Sequence, residues 1–161
     1  MKTVSFLSIS TLVAMAAASF ASAQTATQTV TFQVSAINQI AVTGAPSLVI
    51  NTAVAGSPLT SATSAGNTWS VTTNQSGASI TASIPSAMPA GLTLSANLVA
   101  PAGATSTGLT ALGTTAVNVV TGITKLSAAS LGLTYQLDAT AAAGVVASGT
   151  RVVTYTITGG V

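Results

Sequence analysis

The chain has 161 residues, no cysteine and no histidine, and only four charged side chains, three basic and one acidic, for a net charge of +2. Ordinary domains carry about a quarter charged residues, so this composition excludes the clustered cations needed for nucleic acid or an anionic membrane surface. It equally excludes a disulfide framework and imidazole or thiolate metal sites.

The first 23 residues read as a cleavable secretory signal peptide. Lys2 supplies the positive start, Val4 to Ala18 the apolar stretch, and Ala21-Ser22-Ala23 the small-x-small cleavage pattern. Ser5, Ser8, Ser10 and Thr11 dilute that stretch, and it falls short of the roughly 20 apolar residues that span a bilayer. With no cysteine, a lipid-modified N-terminal Cys is ruled out, and no later apolar run is long enough for a membrane span after cleavage. The expected product starts at Gln24 and is secreted, to an extracellular or cell-surface location, by way of a periplasm where one exists.

Residues 24–161 form one domain by length, large enough to bury a core by packing alone. Only Lys125, Asp138 and Arg151 remain charged there, and polarity is carried by 26 Thr and 15 Ser beside 25 Ala. A hydroxylated, nearly neutral surface gives copies of the chain little mutual repulsion, which favours self-association.

Helix signals are nearly absent after the leader, whereas short Val, Ile, Thr and Tyr runs recur between Gly, Pro, Ser and Ala clusters. The pattern predicts an all-β sandwich or barrel of about nine strands. In chain order they fall near Thr29 to Ser35, Ile37 to Thr43, Ser47 to Asn51, Thr68 to Thr73, Ala78 to Ile84, Leu92 to Val99, Ala116 to Val120, Leu133 to Ala139 and Arg151 to Thr158. Turn residues separate them, among them Gly56-Ser57-Pro58, Pro85 with Pro89 and Gly91, Pro101 with Gly103, and Gly122. The longest loops, 54–67 and 100–115, are the natural contact surfaces of a binding module.

The first alternating stretch is too long for one strand. Val30, Phe32, Val34, Ala36, Ile40 and Val42 line one face over more than 40 Å at about 3.3 Å per residue, so a break is expected between Ala36 and Asn38. Either the strand bends there to cross between sheets, or residues 24–35 form an edge or donor strand. In the second case Val30, Phe32 and Val34 enter pockets of a neighbouring copy, and a head-to-tail contact of that kind grows a filament. At the other end, matching apolar faces predicts a hairpin pairing Leu133 with Ile157, Tyr135 with Tyr155 and Leu137 with Val153, leaving Asp138 and Arg151 on opposite faces.

Catalytic chemistry finds no footing. After the leader there is no His, Glu or Cys and one Asp, so paired carboxylates are impossible and a hydroxyl nucleophile lacks a base; Gly122 stands where a Ser-x-x-Lys pattern would need serine. The expectation is no enzyme, no cofactor, no metal site and no small-molecule substrate. Lys125 is a candidate for an isopeptide bond to an Asn side chain with Asp138 assisting, although a lone Lys is ordinarily solvated. Trp69 sits inside an alternating strand and is expected in the core, as are Tyr135 and Tyr155 with their hydroxyl ends wet. Threonine rows at 25–31 and 154–158 suit an ice-matching surface but need only be the solvent side of amphipathic strands. Four aromatics after the leader and short, uneven strands argue against an outer-membrane barrel.

The N-terminal stretch Thr29-Val30-Thr31-Phe32-Gln33-Val34 and the alternating end Val153-Thr154-Tyr155-Thr156-Ile157, in an exported single domain, resemble bacterial fimbrial-type and surface-filament subunits. That resemblance, of pattern rather than motif, implies a single immunoglobulin-like β-sandwich and assembly by donated strands, with copies of the chain or a related surface protein as partners. The chain lacks the cysteine pair of many such subunits. It does not resemble a type IV pilin, whose long apolar N-terminal helix persists after processing. The reading from a different class is a monomeric secreted adhesin that binds through loops 54–67 and 100–115.

Overall fold

The computed structural model describes residues 23–161, so the expected leader lies, apart from Ala23, outside the described residues. Contacts divide the chain into one unit ending at Gln33 and another covering residues 34–161, and among the described residues every strand belongs to the second.

Strands form where inward apolar residues alternate with hydroxyls: β1 (Asn38–Thr43), β2 (Ala62–Thr63), β3 (Asn67–Thr73), β4 (Ala78–Ser83), β5 (Leu92–Leu98), β6 (Thr105–Ser106), β7 (Thr110–Ala111), β8 (Val117–Ile123), β9 (Leu126–Ala139) and β10 (Thr154–Thr158). One sheet has the order β1-β3-β9-β5-β7 with β2 also on β9, and the other has the order β10-β4-β8-β6. All pairings are antiparallel. The two sheets enclose one core, to which β3 gives Trp69 and Val71, β4 gives Ala78, Ile80 and Ala82, β5 gives Leu94, Ala96 and Leu98, and β8 gives Val119, Val120 and Ile123. The all-β expectation holds, in a sandwich-like arrangement of two antiparallel sheets.

Among the described residues ten strands replace the expected nine, and the count changes for physical reasons. Three of them, β2, β6 and β7, are two-residue pairings within the loops 54–67 and 100–115, too short for any periodicity to register. Two expected strands do not form: Thr29 to Ser35 and Ser47 to Asn51 enter no ladder, and Arg151 to Val153 likewise precede the start of β10. Conversely, β9 begins seven residues before the predicted Leu133. Its first half pairs with β3 from Thr73↔Leu126 to Asn67↔Leu133, and its second half pairs with β5 from Leu98↔Leu133 to Leu92↔Ala139.

The predicted terminal hairpin is overturned. β10 pairs with β4, in the register Thr154↔Ser83 to Thr158↔Ser79, and β9 lies in the opposite sheet. Alternation identifies which side chains face the core, but two strands facing one core from opposite sheets alternate just as two neighbours do. Tyr135 and Tyr155 therefore meet end to end rather than side by side.

Gly122, expected in a turn, is inside β8. The β4–β8 register slips between Ala78 and Ile80, and Gly122 takes φ +76° there, the geometry of a glycine bulge. A second slip, between Ile80 and Thr81, accompanies the burial of the consecutive residues Val119 and Val120. A β-carbon on Gly122 would meet no atom within 4 Å, so Gly122→Ala isolates the backbone penalty. It is expected to lower stability by about 1 kcal/mol, read as a reduced urea midpoint with unchanged slope.

Candidate self-assembly surface

Val30, Phe32 and Val34 are 71%, 91% and 80% exposed, on a segment that enters no ladder. Burying such side chains is worth about 1.5–3 kcal/mol each. Single exposed apolar residues are ordinary, but three in strand alternation make a row that a groove can accept.

The chain leaves this segment through an amide clamp. The Asn74 side chain accepts from the Ile37 N–H at 2.8 Å and donates to the Ser35 carbonyl at 2.7 Å, while the Asn74 backbone N–H donates to the Ile37 carbonyl at 3.2 Å. The expected break between Ala36 and Asn38 thus falls at the start of β1, and the strand does not cross between sheets: β1 stays beside β3. Asn38 ties this corner together, accepting from Thr73 Oγ1 at 2.6 Å and donating to the Gly159 carbonyl at 3.3 Å.

β1 and β10 are edge strands of their sheets. Because Ile37 and Asn74 form a hydrogen-bonded pair, antiparallel alternation turns the N–H and C=O groups of Asn38, Ile40 and Val42 away from β3. Such groups pair readily with another chain. The residues that follow β1 reach a cavity of about 350 Å³, lined by Leu48, Ile50, Leu59, Met88, Leu137 and Val146, with Arg151 at its wall.

The remaining candidates are placed as follows. Trp69 is fully buried, with Nε1–H donating to the Val99 carbonyl at 3.2 Å. Tyr135 is buried and Tyr155 half-buried, and the Tyr155 hydroxyl donates to that of Tyr135 at 3.0 Å. Each hydroxyl is thus satisfied by the other across the core rather than by water alone. Burial raises the pKa of both phenols, and for Tyr155 its neighbour raises it further. A phenol raised in the folded state stabilises fully below the unfolded value near 10 and loses that contribution as pH rises towards the folded value. With no histidine to titrate, the urea midpoint is expected to hold level from about pH 6 to 9 and to fall above about pH 10. Tyr155→Phe should soften that alkaline fall.

Lys125 and Asp138 are not brought together. Lys125 precedes the first residue of β9 and Asp138 is the last but one of that strand, about 40 Å away along it. Lys125 does lie beside Asn74, but Asp138 is the chain's only acidic side chain and is bonded to Ser61 and Gln136, so it does not assist an isopeptide bond there. Arg151 donates to the carbonyls of Thr150 and Ala87 at 2.9 and 3.1 Å. The asparagine clamp was missed in the sequence, since nothing distinguishes Asn74 from any other turn asparagine until Ser35 and Ile37 are beside it.

Among the described residues no helix is long and apolar enough to cross a membrane. No protein-family model, curated protein or solved structure matches this chain.

Proposed function

We propose that this chain is a non-enzymatic structural subunit of an extracellular filament, surface layer or matrix. In this reading it is exported, folds as an immunoglobulin-like sandwich, and joins copies of itself, or a related surface protein, through a donated N-terminal strand. The observation that carries the proposal is the exposed row Val30, Phe32 and Val34, in strand alternation and without a ladder partner. The unpaired edge of β1 and the near absence of charge support it, since main-chain pairing supplies affinity and nothing repels the incoming copy.

Sedimentation velocity of the chain purified from an exporting host tests this directly. The subunit reading expects species that lengthen with concentration, and a Phe32→Ser chain that shifts back towards monomer. A wild-type chain that stays monomeric at the highest attainable concentration overturns it.

A further inference from the structure

We infer that the cavity beneath Leu48 and Ile50 is the acceptor for the strand donated by a second copy, which rests on the subunit reading above. Three segments have strand-like sequence yet enter no ladder in the single chain: Thr29 to Ser35, Ser47 to Asn51 and Arg151 to Val153. Leu48, Val49 and Ile50 of the second and Arg151 of the third line one cavity, and the first carries the exposed apolar row. Leu48 and Ile50 are half-buried while Val49 is exposed, the alternation of a strand, and Leu48 already packs against the core. What Ser47 to Asn51 lacks is a hydrogen-bonded neighbour. The donated strand supplies that neighbour, and Phe32, which buries about 150–250 Å² when enclosed, fills the apolar space beside Leu59, Met88 and Val146.

The occupant comes from another copy because a chain's own Phe32 does not reach. Ser35 is held at Asn74, next in sequence to Thr73, which pairs with Leu126 at the start of β9. The cavity is reached at Leu137, eleven residues further along β9 and thus about 35 Å away along the strand. Phe32 lies three residues before Ser35, a span of about 10 Å at full extension. The clamp at Ser35 and the cavity are therefore at opposite ends of β9. A contact between two different surfaces of one subunit is heterologous, and repeats along an open line unless a rotation closes it.

The absence of native cysteine makes a disulfide test unambiguous. Full-length chains bearing Val30→Cys or Val34→Cys, each retaining Phe32, are exported, mixed with a Val146→Cys chain, and oxidised mildly. An Ala129→Cys chain, exposed on β9 near its beginning, is the control. A disulfide forms only when the two β-carbons come within about 4 Å. At least one donor is expected to link to position 146 with a yield about tenfold above that for position 129, since docking raises the effective concentration. Linear multimers in which neither donor exceeds the control would overturn the acceptor site while leaving strand donation standing. A chain that remains monomeric in the same preparation would overturn both.

Discussion

A chain lacking residues 25–34 is expected to fold with its melting temperature within a few degrees of the parent and to form no multimers. The expectation follows from where those residues make their contacts. They enter no ladder, and the three large apolar side chains among them are mostly exposed, so their removal takes little apolar surface out of the core. Keeping Ser35 preserves the carbonyl that Asn74 bonds, a link worth about 1 kcal/mol if broken. Assembly loses far more: the burial of Val30, Phe32 and Val34, each about 1.5–3 kcal/mol, together with every main-chain bond of the added strand. Circular dichroism melting reports the first part, and light scattering with electron microscopy the second. If the shortened chain fails to fold, residues 25–34 are a structural strand of their own domain and the donor reading is lost. If it folds and still multimerises, the contact between copies lies elsewhere.

The positions of β1, β3, β4 and β5 were legible in the sequence because each offers period-two alternation between turn residues, and a strand with one buried face has little freedom in phase. Trp69 and Tyr135 were legible as core for the same reason. Which strand neighbours which was not. Tyr135 and Tyr155 share a core face, but hydropathy does not say whether a shared face lies in one sheet or across two, and residues 140–153 carry the chain across. The early start of β9 was hidden by its bulge. The register slips between Trp69 and Val71, where Ser130 adopts φ +55°, and that breaks the alternation of Leu126, Ala128 and Leu131 into fragments too short to read. Of the candidate site, the apolar row of Val30, Phe32 and Val34 was visible as an overlong strand. The clamp at Asn74 was not, because a side chain bonding to residues 37 and 39 positions away leaves no local signature.

Trp69→Ala is expected to be the most damaging single substitution, costing about 4 kcal/mol and, at this domain size, lowering the melting temperature by about 12 °C. Trp69 is the largest of the fully buried side chains, so its truncation leaves a cavity between the sheets that packed neighbours fill only in part. It also strips the Val99 carbonyl of the Nε1–H that it accepts, and with it the tie between β3 and the residues that follow β5. Nothing covalent compensates, as the chain has no disulfide, and domains of this kind hold only about 5–15 kcal/mol in total. Trp69→Phe separates the two contributions: it keeps most of the volume and loses the hydrogen bond, for an expected cost of about 1–2 kcal/mol. Urea unfolding followed by circular dichroism is the suitable measure, since these variants remove the only tryptophan. A loss below 1 kcal/mol for Trp69→Ala would mean that β3 does not carry the centre of the core. The same pair of variants bears on assembly. Trp69 opposes Leu131 on β9, the strand that connects the Asn74 clamp to the cavity at Leu137. Loosening the core there should weaken multimers of Trp69→Ala even under conditions where it remains folded, while Trp69→Phe, with the sheets still propped apart, should assemble like the parent.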